Sequence, residues 1–314
     1  MKNGFIWQDT DGNDIQAHGG SMLEHNGVYY WYGESYTWYN GNCINDGFCC
    51  YSSTDLMNWK NEGKIIDVLM QRHWSEHDLY YKNVLQRPSV VYNKATEKFV
   101  LYFHMDDPEY LKASVGIAIS DTPTGIFRYL GSYKPHNRAS HDMTLFQDDN
   151  GCVYLFSSSD HNRSLRAIRL SDDCLDCWNY SIVCPEIPNV ATREAPVVIK
   201  KDGKYYLFSS QCTGWAPNAA LCMETEDISG VWKTLGNPCV GEDSEKTFHG
   251  QGAFAFSHGG KWYFAADRWN SKDLAKSGYI WLEIEFENGV PKIRWKDDFI
   301  AEKILCAHNS LCCD

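Results

Sequence analysis

Two carboxylates stand out because each sits just ahead of a run that reads as a buried strand. Glu194 lies in TREAPVV (192–198) and Asp142 in HDMTLFQ (141–147). TREAPVV has an echo at 86–91, QRPSVV, which offers Gln86 where the first offers Glu194. Two carboxyl groups at one site can support acid-assisted cleavage of a glycosidic bond, in which one group protonates the leaving oxygen. That donor must stay protonated near neutral pH, and apolar surroundings or a charged neighbour raise its pKa. Glu194, flanked by Ala195 and Pro196, suits the donor, and Asp142 suits the charged neighbour. The bland alternative is that Asp142 forms a structural ion pair with Arg87 or Arg193. Spacing alone leaves both open.

The elements that must position these residues recur along the chain. NGVYYWYGE (26–34), EKFVLYF (97–103), NGCVYLFS (150–157), DGKYYLFS (202–209) and GGKWYFA (259–265) each begin at a turn signal and then alternate aromatic and aliphatic residues. That is the pattern of a hairpin's second strand. The first strands read GSMLEH, PSVVYN, MTLFQD, PVVIKK and GAFAFS. Five copies at spacings of about 50 to 70 residues predict an all-β, five-bladed β-propeller. ASVGIAISDTPTGIF and AALCMETEDISGVW supply outer strands, and the stretch between Glu34 and Val84 reads as a long aromatic insertion in the first blade. No linker interrupts the pattern, so residues 1–314 are expected to form a single domain. A two-sheet β-sandwich is the other architecture open to an all-β chain, but it does not account for five equivalent hairpins.

In a propeller the inner strands start around one axis. HGG (18–20), QRP (86–88), HDM (141–143), REAP (193–196) and HGQG (249–252) are therefore expected to converge on one funnel. They bring His18, Gln86, Arg87, Asp142, Arg193, Glu194, His249 and Gln251 together.

Bulk properties narrow the substrate. The net charge is −12 and no Lys/Arg cluster is present, which argues against nucleic acid. Aromatics make up 14% of the chain; many must line the core, and aromatic faces also suit the C–H faces of sugars. No run approaches a membrane span, and the N-terminal MKNGFIWQDTDGND lacks an apolar leader core, so the expected location is cytoplasmic. The 13 Cys are odd in number and scattered, which fits reduced thiols. Cys174 and Cys177 form a lone CxxC with no partner motif, and Cys312-Cys313 lies near the C-terminus. No helix is read that carries an HExxH or HxxxH pair, and there is no GxSxG or nucleotide-binding loop, so no catalytic metal and no cofactor are expected, with a structural cation such as calcium on the axis left open.

The segments WQDTDGNDIQAHGGSMLEHNGVYYWYGE, NVLQRPSVVYN, SHDMTLFQDDNG, TREAPVVIKKDGKYYLFSS and AADRW resemble, in order and spacing, glycoside hydrolase family 43, specifically its exo-β-1,3-galactanase branch. The resemblance spans essentially the whole chain. It implies the five-bladed propeller and hydrolysis with inversion. It assigns Glu194 as general acid, Asp142 as the aspartate that tunes and orients it, and Gln251 as the holder of the attacking water, in one view as its imidic-acid tautomer. The family's base aspartate at the first blade is replaced by Ala17-His18-Gly19. The resemblance also points to Glu34, Tyr110, Asn162, Thr213 and Trp215 as sugar contacts, beside His18 and Gln86. Gln86 departs from the branch, which carries glutamate before Arg-Pro. Related subgroups cleave α-L-arabinofuranosides or β-galactofuranosides.

The expected activity is thus an exo-acting hydrolase of β-1,3-galactan, as in arabinogalactan backbones, with an oligo- or polysaccharide as partner. A non-catalytic sugar-binding propeller is the alternative from another class. A structural propeller with SYTWYNGN as an interface patch is the third reading. The oligomeric state is not legible.

Overall fold

The computed structural model describes residues 1–70, 78–184 and 192–302, with side chains of 179–184 outside that description. Its sheets form five antiparallel blades in chain order. The first holds β1 (His18–His25), β2 (Val28–Tyr39), β3 (Asn42–Ser53) and β4 (Lys60–Asp67). The second holds β5 (Val84–Asn93), β6 (Lys98–Asp106), β7 (Ser114–Ser120) and β8 (Arg128–Tyr133). The third holds β9 (Met143–Gln147), β10 (Val153–Ser159), β11 (Ser164–Leu170) and β12 (Cys177–Cys184). The fourth holds β13 (Arg193–Lys201), β14 (Lys204–Gln211), β15 (Leu221–Thr225) and β16 (Lys233–Gly236). The fifth holds β17 (Cys239–Val240), β18 (Gln251–His258), β19 (Lys261–Arg268), β20 (Gly278–Glu287) and β21 (Val290–Arg294), with β17 parallel to β21. The first antiparallel strands, β1, β5, β9, β13 and β18, contact one another in a closed ring around the axis. The five-bladed propeller read from the hairpins is the fold observed.

Alternation along each strand builds the cores between blades. Trp31 faces the fifth blade, in a cluster with Trp59, Phe254 and Trp281, while Tyr32 faces the second blade with Phe103 and Val90. Val91 points the other way and, with Val100 of its own blade, packs in a cluster with Leu155 of the third blade. Phe156, Leu207 and Trp232 fill the third interface, and Phe208 packs against Phe264 in the fourth. Each of the five apolar clusters lies between consecutive blades. The abundant aromatics are thus largely structural.

The expected insertion between Glu34 and Val84 is not an insertion. Most of it is the rest of the first blade, lengthened because β2 and β3 continue as a hairpin of 12-residue strands. Residues 71–77 of that stretch lie outside the described residues. Cys174 and Cys177 do not pair: Cys174 accepts from Asn93 Nδ2 and Cys177 meets the Tyr133 hydroxyl. The cysteines whose side chains are described are free thiols; Cys312 and Cys313 lie outside that set. No helix among the described residues is long and apolar enough to cross a membrane.

The ring closes through the N-terminal segment, which lies along the fifth blade. The Asn3 and Gly4 amides donate to the Asp297 and Tyr279 carbonyls, and Phe299 donates to the Met1 carbonyl. Asn3 is 1% exposed and acts as a clasp. Its Nδ2 donates to the carbonyls of Trp281 (3.1 Å) and Lys296 (3.0 Å), and its Oδ1 accepts from the Trp281 amide (2.8 Å). Asn3→Ala strands these buried backbone groups, and we expect a loss of about 1–3 kcal/mol, read as a lower urea midpoint with an unchanged m-value.

Candidate active site

Three inner strands share a backbone device at their starts. The ladder to the second strand slips between His18 and Ser21, Gln86 and Ser89, and Glu194 and Val197. The residue after the first of each pair, Gly19, Arg87 or Ala195, has φ of 53, 55 or 52°. A bulge with a left-handed residue bends the strand and re-aims its side chains. Pro88 and Pro196 follow in two cases, where the broken ladder needs no N–H. Gly19 also lacks room, since a Cβ there would lie 2.3 Å from Glu34 Oε1. Arg87 and Ala195 hold this conformation against steric preference, at a cost on the order of 1–3 kcal/mol each.

The strand starts surround a cavity of 530 Å³, within the size range of small-molecule sites. Gln86, Arg87, Asp142, Glu194, His249 and Gln251 line it, as the sequence led us to expect. The opposite contribution was not foreseen. A second strand runs back antiparallel and ends where the first begins, so Tyr36, His104, Ser210, Arg268 and Trp269 reach the same cavity. AADRW, which ends in Trp269, carried that signal in the sequence. Tyr110, Asn162 and Trp215, from loops after second strands, also line the walls.

Two expected sugar contacts are corrected. His18 is fully buried and does not reach the cavity. Its ring stacks on Tyr279 at 4.9 Å and its Nδ1 lies 3.3 Å from Asp267, because the Gly19 amide bonds the same carboxylate and draws the segment inward. Thr213 is exposed but faces its own loop: its hydroxyl donates to the Ala216 carbonyl and accepts from Asn218 Nδ2. It shapes the turn that presents Trp215 and is not itself on the wall. Glu34 does reach the wall but is 1% exposed. Its Oε1 accepts from the Arg87 amide and its Oε2 from the Tyr36 hydroxyl, so it supports the wall from behind. Burial raises its pKa to about 7, against the pull of Arg87 and Tyr36.

Arg87 is the hub. It is 6% exposed and reaches Asp142 Oδ2 at 2.9 Å, Gln251 Oε1 at 2.7 Å and the Gly252 carbonyl at 3.0 Å. The ion pair weighed for Asp142 therefore exists. It does not remove Asp142 from the site: the carboxylate also accepts from the Ala195 amide at 3.1 Å, directly beside Glu194. Burial opposes the guanidinium charge, but Asp142, Glu34, Asp267 and Glu194 outweigh it and raise the Arg87 pKa.

Glu194 is partly buried, and its pKa is raised first by desolvation and then by the Asp142 charge. The Cys212 thiol, Arg87 and Gln251 pull the other way. Gln251 fills every hydrogen-bonding position it has. Its Oε1 accepts from Arg87 (2.7 Å) and from Trp269 Nε1 (3.0 Å); its Nε2 donates to Glu194 Oε1 (2.8 Å) and Ser210 Oγ (3.0 Å). Arginine and indole nitrogens only donate, so the amide oxygen must face them and the NH₂ must face Glu194. These contacts match the donor and acceptor pattern of an ordinary amide. Gln86 bonds the Tyr110 hydroxyl, whose pKa burial pushes up to about 12. Asn162 Oδ1 is buried without a protein partner, and Trp215, 55% exposed, meets Trp269 edge-on at 5.9 Å.

Comparison with known proteins agrees with this geometry. The profile of glycosyl hydrolases family 43 matches residues 16–299. A GH43 β-1,3-galactosidase solved with galactodeoxynojirimycin is 36% identical, with a TM-score of 0.88 over 96% of this chain and 100% of that chain. An exo-β-1,3-galactanase from Phanerochaete chrysosporium, solved with galactose, is 32% identical, with a TM-score of 0.84 over 93% of this chain and 66% of that one. An exo-β-1,3-galactanase from Clostridium thermocellum is 30% identical, with a TM-score of 0.85 over 98% of this chain and 69% of that one. The chain thus spans all of the first relative and about two thirds of the other two. None of the curated proteins compared with the chain matches it. With a family match over nearly its full length and a paired-carboxylate cavity on the axis, the chain belongs to glycosyl hydrolases family 43 and is a glycoside hydrolase.

Proposed function

We propose that the cavity releases galactose from the end of β-1,3-galactan, with inversion at the anomeric carbon. The observation that carries this reading is the state of Glu194. Desolvation and the Asp142 charge favour its protonated form at the cavity wall, as a general acid requires. The identity of the sugar comes from the similar solved structures, which are named as β-1,3-galactosidase and exo-β-1,3-galactanases.

In this mechanism Glu194 Oε1 already accepts from Gln251, so the acidic proton belongs on the other oxygen. An inverting pair leaves room for a water, with its two groups about 6.5–9.5 Å apart. Gln251 touches Glu194 in the free protein, so it serves the water only after the sugar displaces it from Glu194. Its freed NH₂ then donates to the water oxygen and orients it, while Arg87 and Trp269 keep the amide oxygen fixed. As the water bonds to the anomeric carbon the glycosidic bond breaks, and the leaving oxygen takes the Glu194 proton. The water gives up a proton to solvent, and Glu194 is reprotonated from solvent. Asp142, held by Arg87 and the Ala195 amide, sets the Glu194 pKa without moving. Asn162, Tyr110, Gln86 and the Trp215 and Trp269 faces form the wall against which the sugar packs.

A second reading rests on Gln86. It is a neutral amide bonded to Tyr110, at the position where the branch carries a glutamate. A screen with β-1,3-galactobiose, an α-L-arabinofuranoside and a β-galactofuranoside decides between the sugars: galactose from the first alone supports the galactanase reading, and release from a furanoside alone overturns it.

Glu194→Gln should lower kcat on β-1,3-galactobiose by about 10²–10⁴, with a much smaller loss on an aryl galactoside whose leaving group needs no proton. Equal losses on both would remove Glu194 from the acid role. Glu194 works only while protonated, so activity falls as pH rises through its pKa. Removing the Asp142 charge lowers that pKa, and Asp142→Asn should move the alkaline limb of the kcat profile to lower pH. Gln251→Ala should reduce kcat by about 10²-fold or more, measured by released galactose; full activity would assign the water to another group.

A further inference from the structure

His104, Asp106 and His141 form a compact group beside the cavity, brought together from the second blade and from the segment that leads into the third. His104 Nε2 lies 3.0 Å and His141 Nδ1 3.6 Å from the same oxygen, Asp106 Oδ2. One candidate ligand atom from each residue lies within 4.8 Å of the others. Four ligands at about 2.0–2.1 Å from a zinc ion are separated by about 3.3 Å along each tetrahedral edge, a value that falls between the two measured separations. The rings are already crossed at 80°, 5.5 Å apart.

The carboxylate is held as a ligand would be. Asp106 Oδ1 accepts from the amides of Asp107 (3.0 Å) and Ala113 (2.8 Å), which fixes Oδ2 toward the imidazoles. Outer hydrogen bonds of this kind orient metal-binding carboxylates. Asp106 is completely buried, and the basic side chains paired with it among the described residues are these two histidines. His104 and His141 line the cavity, which gives a fourth ligand position a route to water or a sugar hydroxyl.

The geometry points to a divalent transition-metal site at His104, Asp106 and His141, with its open position on the cavity side. Two imidazole nitrogens and one carboxylate oxygen select zinc or its neighbours over calcium or magnesium, which take oxygen donors. The site shares the cavity with the Glu194–Asp142–Gln251 constellation, and His141 directly precedes Asp142, but none of its three residues belongs to that constellation and it does not depend on which sugar is cleaved. HxD on a strand, completed by a histidine from another part of the chain, is invisible to helix-spaced metal motifs.

The test uses the full chain, stripped with a chelator and dialysed against zinc at pH 8. Wild type should retain one more zinc per chain than His141→Gln or Asp106→Asn, and added zinc should raise the Tm of wild type but of neither variant. Equal zinc content in all three overturns the site. A measurement on wild type alone covers the case in which a variant does not fold. Zinc X-ray absorption at half an equivalent should show imidazole and oxygen scatterers; a sulfur shell, from the free thiols, would place the metal elsewhere and overturn the assignment. Activity is not the readout, so the outcome stands apart from the galactanase proposal.

Discussion

One buried guanidinium organises the site. Arg87, on the second blade, touches Asp142 of the third and Gln251 and Gly252 of the fifth, and its amide holds Glu34 of the first. Asp142 then reaches the Ala195 amide of the fourth. All five blades are tied through one residue and its immediate partners. The electrostatics follow from the count of charges. Asp142, Glu34, Asp267 and Glu194 all act on this cation, and one positive charge cannot compensate four ionised carboxyls in a partly desolvated space. Two of them respond by holding protons more tightly. Glu34 does so behind the wall, where it only supports Arg87, and Glu194 does so at the cavity, where the proton is useful. The acid is thus produced first by its own burial and then by the Asp142 charge beside it.

Much of this was legible because packing between blades imposes a period of two on every strand, and tight turns demand Asn, Asp or Gly at fixed places. The five hairpins are written in that alternation, and the starts of the inner strands named Gln86, Asp142, Glu194 and Gln251. The rest failed for identifiable reasons. Tyr36, His104 and Trp269 sit where second strands return to the axis, a consequence of antiparallel pairing that attention to strand starts alone overlooks. His18 and Thr213 have suitable types at suitable places. Their polar atoms are nevertheless captured, by Asp267 in one case and by Ala216 and Asn218 in the other. Such capture depends on neighbours distant in sequence or on the curl of a single loop, and no local pattern records it.

The same capture explains why the position before Arg-Pro matters. The bulge at Arg87 turns that residue's side chain inward to the hub while Gln86, one step earlier, stands on the wall. Adjacent residues are thereby divided between building the site and meeting the substrate. The fourth blade repeats the device with Ala195 and Glu194: the small residue takes the strained backbone and lends its amide to Asp142, and the acid faces the cavity. Repetition of the fold has supplied equivalent positions, and divergence of side chains has given them different work.

The N-terminal clasp has a mechanical consequence. Among the described residues each blade is drawn from one contiguous stretch of chain, so no ladder spans the seam between the first and fifth blades as a shared strand. The seam is held by backbone bonds of residues 1–5, by Asn3, by the Gly19 amide on Asp267, by the Tyr29–His258 contact and by the aromatic cluster around Trp31 and Trp281. A tensile load on the N-terminus falls first on the short zip of residues 1–5, bond by bond, and only then on the contacts between the two blades. The clasp is thus loaded before the beads it joins.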